Sequence, residues 1–374
     1  MKKKLVSAIL TFSVGFLLAA CGGSNSSTSQ SSASVNSETT VQSDLTTNEE
    51  SSKANADASG VNKWDTSNIE PVRLKLAHIY AAEHPFTIGL DEFCEKVDEL
   101  SDGKLKIEHF SGAQLGDEPS IHEGLKNGSV DMAVMGISEA GKDYEPVLVM
   151  DAPFIFTDAK QMLAAQTSDT GTQLWKDFKE QSGITMLTPI YYGTRQLTTK
   201  EKVSSVNDLK GMKIRVPSQQ NSVDVWNTLG AVATPMNLSE TYLSIQTGVV
   251  DGQENPLATI MSQAFDEVCN YLNMTSHSVQ SCPLFISNST YENLDPTLRK
   301  ILDYCVSNYV TIISQDIIDY EERTIGEIEN KGKMEVNIDV DIDSFKNALT
   351  DYIKEGASTW GSGVYDSLSS VKAN

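Results

Sequence analysis

Two arginines are the residues in this sequence best placed to do chemistry. Arg195 follows a predicted strand over Ile184–Tyr192 that ends in two tyrosines, and Arg215 lies in a second predicted strand that ends at Pro217. Alternation in the second strand places Arg215 on the face opposite the apolar residues. A single arginine on a short strand is most often a solvated charge. Two that flank one strand–turn–strand unit are more informative, because a guanidinium forms a planar fork of donors that suits a carboxylate. The pair predicts a site for an organic anion.

The overall charge of the chain makes these two cations more notable. The sequence has 374 residues, with 29 Lys and Arg against 51 Asp and Glu, and a formal charge of −22. A basic face for nucleic acid is therefore not expected. A protein this acidic repels an anion at long range, so an anion site would need convergent guanidinium groups that reverse the potential locally.

A polar loop after a buried strand offers a further candidate. The segment Val249–Pro256 begins with apolar residues and continues as Asp-Gly-Gln-Glu-Asn-Pro. Such a loop directs side-chain amides toward the cleft that the strand faces. An asparagine before a proline is also a common turn residue. Asn255 is therefore a candidate for an amide contact and, equally, for a simple turn.

Motifs for other chemistries are missing from the sequence. It contains no HExxH, GxSxG, GxGxxG or P-loop pattern and no CxxC pair. A disulfide such as one between Cys282 and Cys305 is compatible with an exported protein, and the sequence leaves it open. No cofactor and no metal are expected. The four cysteines after Cys21 have spacings that match no zinc site: Cys94, Cys269, Cys282 and Cys305.

The N-terminus has the pattern of a secretory signal. Three lysines precede an apolar run from Leu5 to Leu18, which is short for a membrane span, and small residues follow before Cys21. Leu-Ala-Ala-Cys followed by two glycines resembles a bacterial lipobox, in which the cysteine sulfur is acylated. We expect residues 1–20 to be a signal peptide and Cys21 to be the lipidation site. An ordinary secretory signal with a chance cysteine is the alternative.

The segment after Cys21 is predicted to be a disordered tether. From Gly22 to about Gly60 it consists mainly of Ser, Thr, Asn, Asp and Glu and contains no aromatic residue. It therefore lacks the apolar surface that would offset the entropy of ordering. We expect the tether to cover residues 21–68 and the folded part to begin near Ile69. A tether of this kind would let the folded part reorient above a membrane surface.

The folded part alternates strand and helix signals, which predicts an α/β fold with parallel sheets. Val72–Ala77 alternates as a strand, Pro85–Leu100 has one apolar helical face, and Lys104–His109 alternates again. A helix followed by Asn-Gly-Ser-Val-Asp around Gly128 matches a helix followed by Thr-Gly-Val-Val-Asp around Gly248. Chance similarity is the alternative, since glycines commonly end helices. A true repeat predicts two similar lobes with a ligand at the carboxyl ends of their strands.

Several segments of the sequence carry a resemblance to a known family. The segments are Gln114–Glu118, Lys213–Pro217, Leu229–Met236, Ser239–Tyr242 and Ile245–Pro256. They resemble, in order, the solute-binding proteins of tripartite ATP-independent periplasmic (TRAP) transporters, the DctP-like family. The resemblance extends from Ile69 to the C-terminus. It implies a two-lobed periplasmic-binding-protein-like fold, with two α/β lobes joined by hinge segments and a long helix. These lobes would close on an organic acid whose carboxylate pairs with an arginine.

The resemblance also implies roles for individual residues. Arg215 matches the main carboxylate partner, Arg195 a second contact and Asn255 an amide contact. Members that bind sialic acid have an acidic residue in place of Gly136 and an asparagine in place of His78, which argues against sialate as the ligand. The other positions that line the cleft in family members correspond to His78, Asp117, Gly136, Ser218 and Leu238.

The resemblance further implies a domain plan and partners. Lobe I is expected over residues 69–192 plus about 281–320, and lobe II over 193–280 plus about 321–374. We expect a lipid-anchored monomer at the cell surface or in the periplasm. It would pass a sugar acid or small carboxylate to the small and large integral membrane subunits of a TRAP transporter. It is not expected to be an enzyme.

Two alternative functions remain open at the level of sequence. A binding protein of an ABC-type importer would share the anchor, the tether and the two lobes, and only the family motifs argue against it. A secreted enzyme acting on an organic acid could use Glu254 or Asp251 as a base. No paired carboxylate, metal-binding set or nucleophile accompanies these two residues.

Overall fold

The computed structural model describes residues 55–56 and 62–373. The predicted signal peptide, the lipidation site at Cys21 and most of the predicted tether lie outside these residues. The strands are β1 (Asn55–Ala56), β2 (Asn62–Lys63), β3 (Val72–Ala77), β4 (Leu105–Phe110), β5 (Met132–Val134), β6 (Ile184–Thr188), β7 (Tyr191–Thr199), β8 (Lys213–Val216), β9 (Val232–Pro235), β10 (Gly252–Asn255), β11 (Tyr271–Ser281), β12 (Leu284–Ser287) and β13 (Glu335–Asn337).

Helices connect most of the strands. A π-helical turn over Val306–Val310 joins α10 to α11. The α-helices are α1 (Pro85–Leu100), α2 (Glu118–Asn127), α3 (Ile137–Ala140), α4 (Ala159–Thr167), α5 (Asp169–Ser182), α6 (Gln220–Thr228), α7 (Leu238–Gln246), α8 (Leu257–Ser262), α9 (Asn288–Asn293), α10 (Pro296–Cys305), α11 (Thr311–Lys331), α12 (Ile342–Ala348), α13 (Thr350–Trp360) and α14 (Val364–Ser369).

Two mixed sheets organise the fold. One has five strands in the order β4-β3-β5-β12-β6, and the other has six in the order β13-β11-β7-β10-β8-β9. We call the first sheet with its helices lobe I and the second lobe II. In each lobe one strand pairs in parallel with two others, β3 with β4 and β5, and β8 with β9 and β10. The two-lobed α/β fold is thus confirmed. The sheets are mixed rather than purely parallel because β12 and β7 pair antiparallel with their neighbours.

The predicted repeat is present in both lobes. Gly128 ends α2 and Gly248 follows α7, and both have left-handed backbones, with φ of 79° and 78°. Glycine adopts this conformation without the steric penalty of a Cβ atom. Three residues later an aspartate carboxylate accepts a hydrogen bond from a backbone N–H of the first parallel strand. Asp131 does so from β3 at 2.9 Å and Asp251 from β8 at 2.8 Å. The two lobes therefore share one strand–helix–turn–strand design.

Prolines mark places where the chain passes from one sheet to the other. The prediction of one strand over Ile184–Tyr192 is wrong, because β6 and β7 lie in different sheets with Pro189 between them. Proline has no N–H to continue a ladder. Pro283 lies in the same way between β11 and β12. The long helix α11 also joins the lobes, since Ile313 is buried in the core of lobe I and Ile328 in a core of lobe II.

Apolar clusters hold each sheet to its helices. Lobe I has one large cluster around its sheet, whereas lobe II has one on each face of its sheet. Leu197 and Leu272 belong to different clusters of lobe II. Leu272 lies opposite Thr198 in the ladder, so Leu197 and Leu272 point to opposite faces. This burial on both faces explains why the central strands of lobe II carry few exposed side chains.

The folded part begins earlier than the sequence predicts. The expected tether reaches residue 68, but Trp64 packs edge-on against Tyr304 with ring centroids 5.3 Å apart. Thr66 is 2 % exposed, and its hydroxyl donates to Asp102 at 3.2 Å. Burial of a tryptophan against another aromatic ring stabilises this segment on lobe I. The C-terminal end of the predicted tether is therefore part of the folded domain.

The C-terminal helices depart from the predicted lobe plan. Phe345 and Leu349 pack in lobe II, as expected for residues after about 321. Helix α14 instead contacts α4 and α5, and both Trp360 and Leu368 are buried in the core of lobe I. The prediction that the chain after about residue 321 belongs wholly to lobe II is therefore wrong for its last residues. Burial of two large apolar side chains fixes this end of the chain on lobe I.

The structure also bears on the cysteines and on membrane spans. The four cysteines in residues 62–373 are free and buried, so Cys282 and Cys305 are not joined. The hydroxyl of Tyr80 lies 3.0 Å from the sulfur of Cys282. Among the described helices, none combines the length and the apolar character that crossing a bilayer requires.

Candidate ligand-binding cleft

A cleft of about 350 Å³ lies between the two lobes. Lobe I lines it with the segments that follow β3, β4 and β5, and lobe II with the segments that follow β8, β9 and β10. The cleft is therefore at the carboxyl ends of both sets of parallel strands. This is where ligands bind in open α/β sheets, because the loops there diverge and leave a crevice.

Arg215 enters the cleft from β8. Its neighbours Ile214 and Val216 are buried in a core of lobe II, so alternation turns Arg215 to the opposite side. The residue is only 4 % exposed. Its Nε and Nη2 donate to the carbonyl oxygen of Met236 at 3.1 and 2.8 Å. Arg215 thus has a fixed orientation without a carboxylate partner in the part of the chain that the structure describes.

The remaining donors of Arg215 are suited to a carboxylate. A guanidinium has five N–H groups, and the bonds to Met236 use only the Nε side. Nη1 and the second hydrogen of Nη2 are left to form a bidentate pair. Burial lowers the pKa of Arg215 to about 10, although the charge of Glu254 acts in the opposite direction. The group is a cation at neutral pH that a bound anion would stabilise.

Arg195 is engaged within the protein. Its Nε donates to Oε2 of Glu254 and its Nη2 to Oε1 of the same carboxylate at 2.7 Å. Nη1 donates to Gln280 at 2.7 Å. His277 also contacts the Glu254 carboxylate, at 3.0 Å. Burial alone would raise the pKa of Glu254, but the charge of Arg195 and these hydrogen bonds lower it to about 2. The cleft therefore contains an internal ion pair.

This ion pair changes the electrostatic prediction made from sequence. The sequence predicts two convergent guanidinium groups that together reverse the acidic potential. In the structure the charge of Arg195 is balanced by Glu254, so Arg215 supplies the unbalanced positive charge among the cleft-lining residues that are described. Arg195 does not lie at a strand exit but inside β7, opposite Ser278 of β11. One hydrogen of its Nη1 group remains available for a ligand.

Asn255 lies at the end of β10, where the polar loop was predicted. Its Oδ1 accepts from the hydroxyl of Tyr192 at 3.0 Å and from Arg195 at 3.3 Å. Its Nδ2 donates to Gln253 at 2.6 Å, which leaves one N–H of the amide unused. Asn255 lines the cleft and is oriented by these contacts. Asn255 pairs with Gln196 of β7 in the sheet, so the predictions of a polar loop here and of a turn role for Asn255 are wrong.

Four other predicted positions also line the cleft: Asp117, Gly136, Ser218 and Leu238. Asp117 caps α2, and its carboxylate accepts from the backbone and hydroxyl of Ser120 at 3.1 and 2.6 Å. Gly136 donates its N–H to Glu118 at 2.8 Å. A Cβ atom at Gly136 would stay 3.6 Å from its nearest neighbour, so the backbone does not require glycine there. The missing side chain leaves space in the cleft.

His78 is the predicted site residue that the structure keeps away from the cleft lining. It is fully buried at the end of β3. Its Nδ1 accepts from the backbone N–H of Tyr80 at 3.2 Å, and its Nε2 lies 2.7 Å from His109. His109 in turn contacts Asp91 at 2.7 Å. The expectation of a direct ligand contact fails, because this hydrogen-bonded chain points the ring into lobe I.

Two acidic residues that were not predicted as site residues, Glu118 and Asp151, also line the cleft. Glu118 accepts from Gly136, and Asp151 accepts from Ser138 at 2.6 Å and from Gln280 at 3.1 Å. Burial raises the pKa of Glu118 to about 7, and burial also raises the pKa of Asp151. Glu118 follows Asp117 in the motif Gln114–Glu118, which was a signal for it. No local signal marks Asp151, since it ends a 3₁₀ helix over Glu145–Asp151 that is far from that motif in the sequence.

Hydrogen bonds join the lobes across the cleft. Gln219 caps the start of α6, yet its side chain reaches lobe I, where Nε2 donates to Glu139 at 2.7 Å and to Glu118 at 3.4 Å. Asn221 donates to Ser138 at 2.8 Å. These contacts link the helix that follows Arg215 to the wall opposite. The structure therefore describes a form in which the two lobes are in contact.

Known proteins match this chain over most of its folded part. The family model for DctP, bacterial extracellular solute-binding protein, family 7, matches residues 76–359. A solute-binding protein from Roseobacter denitrificans is 31 % identical over 271 residues, which are 72 % of this chain and 83 % of its own length. The sialic acid-binding periplasmic protein SiaP from Vibrio cholerae is 29 % identical over 278 residues, 74 % of this chain and 86 % of SiaP. These relatives are binding proteins.

Solved structures show the same architecture. The Roseobacter denitrificans protein has been solved with bound L-galactonate, and its structure matches with a TM-score of 0.74 at 29 % identity over 81 % of this chain and 99 % of that one. A TRAP periplasmic solute-binding protein from Actinobacillus succinogenes with bound L-galactonate matches with a TM-score of 0.75. The identity is 29 %, over 80 % of this chain and 98 % of that one.

These matches confirm the predicted family. The family match excludes the alternative of a binding protein of an ABC-type importer. A two-lobed α/β fold, a cleft at the carboxyl ends of both parallel strand sets and a family match over 76–359 agree with one another. The chain belongs to the DctP-like family of TRAP-transporter solute-binding proteins, the bacterial extracellular solute-binding proteins of family 7.

Proposed function

We propose that this protein captures an organic acid anion by pairing its carboxylate with Arg215 and delivers it to the small and large membrane subunits of a TRAP transporter. The observation that carries the proposal is the state of Arg215. Its guanidinium is buried in the cleft, is oriented by Met236, and has a free donor edge and no carboxylate partner among the described residues.

The cost of burying charge explains why Arg215 favours an anion. A buried ion without a partner loses hydration that nothing in the protein replaces. A ligand carboxylate would replace it with two charge-assisted hydrogen bonds, which are about twice as strong as neutral ones. Asn255 and Arg195 each keep one N–H for an additional contact. Reversible capture of this kind requires no nucleophile or base, so we propose a binding protein and not an enzyme.

The relatives support an acid as the ligand. The Roseobacter denitrificans and Actinobacillus succinogenes proteins were solved with L-galactonate, a sugar acid. Binding would favour the form in which the lobes touch, because the ligand then contacts both walls. The bonds from Gln219 and Asn221 to lobe I would be made in that form. We propose that the protein acts as a monomer and presents this form to the membrane subunits.

The requirement for a free carboxylate can be tested directly. We expect a thermal-shift screen of sugar acids and small carboxylates to identify a ligand. The methyl ester of that ligand should bind at least about 100-fold more weakly than the acid, since an ester cannot form the charge-assisted pair. Calorimetric titration of the acid and its ester gives both affinities. Equal affinities for the two would refute the Arg215–carboxylate pair.

We also propose that Cys21 is acylated after removal of residues 1–20 and that the protein is held at the outer side of a membrane. The lipobox-like sequence Leu-Ala-Ala-Cys supports this part of the proposal. Cys21→Ala is expected to release the protein in soluble form or to leave its signal uncleaved, because the thiol is the acylation point. Fractionation and the mass of the mature N-terminus measure this. Cys94→Ala is the control. A processed Cys21→Ala protein that stays with membranes would contradict the anchor.

A further inference from the structure

The charges that line the cleft bear on which acids can bind. Arg195 and Arg215 are the arginines among the lining residues, and no lysine is among them in the described part of the chain. Arg195 is neutralised by Glu254. A first ligand carboxylate would pair with Arg215. A second carboxylate on the same ligand would find no unpaired cation on the lining.

The rest of the lining is rich in hydrogen-bond acceptors. Asp117, Glu118 and Asp151 contribute three carboxyl groups. Gln219 is 4 % exposed, and its Oε1 atom has no hydrogen-bond partner although Nε2 has two. A buried acceptor without a donor is unfavourable. Ligand hydroxyl groups would donate to these acceptors, whereas a carboxylate would not.

The acceptors Asp117, Glu118, Asp151 and Gln219 form what we call the acidic wall of the cleft. Glu118 shows how this wall responds to negative charge. Burial raises the pKa of its carboxyl, and the charges of Glu139 and Asp151 raise it further, even though the N–H of Gly136 donates to it. A second ligand carboxylate placed near this wall would meet the same burial and the same like charges. Like charges that face each other in a closed site oppose binding strongly.

We propose that the cleft selects polyhydroxylated monocarboxylic acids and rejects dicarboxylic acids, with Glu118, Asp151 and Gln219 as the residues that set this preference. The inference rests on the proposed function, because it takes the Arg215–carboxylate pair as the anchor of the ligand. The hydroxyl groups of the ligand donate to the acceptor-rich wall, and the unused space beside Gly136 admits them. A second carboxylate meets uncompensated negative charge.

Matched pairs of acids test this preference in the full-length protein. Galactonate, gluconate and mannonate each have a six-carbon dicarboxylic counterpart, galactarate, glucarate and mannarate, with the same inner hydroxyl groups. We expect at least one of the three monocarboxylates to bind. Its dicarboxylic counterpart should bind at least about 100-fold more weakly. Hexanoate, which has the carboxylate without hydroxyl groups, should bind about as weakly as the dicarboxylate. Calorimetric titration at pH 8.5, where Glu118 is ionised, and at constant ionic strength measures all of these.

Two substitutions assign the preference to the wall. Glu118→Gln and Asp151→Asn each remove a negative charge and keep an acceptor oxygen. Either substitution should reduce the ratio of monocarboxylate affinity to dicarboxylate affinity by about tenfold, mainly because the dicarboxylate binds more tightly. Glu123→Gln makes the same change at an exposed position of α2, the helix that carries Glu118, and should leave the difference unchanged. Having two wall variants keeps the test valid if one of them folds poorly.

The outcomes separate this inference from the proposed function. If succinate or an aldarate binds as tightly as the aldonates, and Arg215→Met abolishes that binding, the preference is wrong while the carboxylate pair stands. If the aldonates bind but Arg215→Met leaves their affinity unchanged, the proposed function is wrong. If no aldonate in the panel binds, the preference is overturned. The proposed preference would also be overturned if the ratio of monocarboxylate to dicarboxylate affinity were unchanged in both Glu118→Gln and Asp151→Asn.

Discussion

Arg215→Met is expected to abolish binding of the carboxylate ligand while the ligand-free protein stays as stable as wild type or becomes more stable. The ligand carboxylate would be left buried without a partner, which costs about 3–5 kcal/mol in comparable buried pairs. That corresponds to a loss of affinity of more than 100-fold. The ligand-free protein has no such penalty, since Arg215 pairs with no carboxylate in the described structure and methionine is close to it in volume.

The geometry of the fork can be separated from its charge. Arg215→Lys keeps a cation but cannot form the bidentate pair, so it should weaken binding by about 2 kcal/mol or more. Arg195→Lys should weaken binding less, because most donors of Arg195 are already used within the protein. Calorimetry and the melting temperatures of the ligand-free variants are the measurements. Arg73→Met, at an exposed position, is the control. Wild-type affinity in Arg215→Lys, or an unfolded ligand-free protein, would mean that Arg215 is structural.

Arg195→Met is expected to have the opposite profile, with a large loss of stability in the ligand-free protein. Removing Arg195 leaves the buried Glu254 carboxylate with His277 as its one remaining hydrogen-bond partner among the described residues. Breaking one side of a buried ion pair typically lowers the free energy of unfolding by about 3–5 kcal/mol. The same substitution therefore has different results at two arginines that both line the cleft. Chemical denaturation of the two variants side by side measures the difference.

The stability that Glu254 contributes should depend on pH in a defined direction. Its pKa is about 2 in the folded protein, below its ordinary value of 4.5. A carboxyl with a lowered folded-state pKa stabilises the fold above its unfolded pKa, and that contribution is lost as pH falls from about 4.5 toward 2. In Arg195→Met this contribution should be largely absent. Unfolding curves between pH 3 and 7 should show a smaller pH dependence in the variant than in wild type.

A second substitution shows whether the buried charge is the cause. Glu254→Gln in the Arg195→Met background removes that charge and should recover part of the lost stability, since a neutral amide is less costly to bury. His277 can still donate to the amide oxygen. If the double variant is no more stable than Arg195→Met, the loss comes from packing and not from the unpaired carboxylate. Wild-type stability in Arg195→Met alone would contradict the importance of the ion pair.

Local patterns in the sequence were enough to predict several of the elements and one of the two arginine environments. Strand β3 and helix α1 have the predicted bounds, and Gly128 and Gly248 end the repeated helix–turn units as expected. The face of Arg215 followed from alternation over four residues. These features depend on backbone periodicity and on neighbours within one or two turns of chain. They can therefore be predicted without knowing which segments meet in space.

The partners of long polar side chains depended on contacts between distant segments. Glu254 neutralises Arg195 from 59 positions away, because β7 and β10 become neighbours in one sheet. His78 turns to His109 for the same reason, since β3 and β4 pair. The contacts of Asp151 are also set by distant segments, since its carboxylate accepts from Ser138, 13 residues away, and from Gln280, 129 residues away. Composition and periodicity say which charges exist and which face they occupy, but pairing is set by sheet order, and sheet order arises from packing of the whole chain.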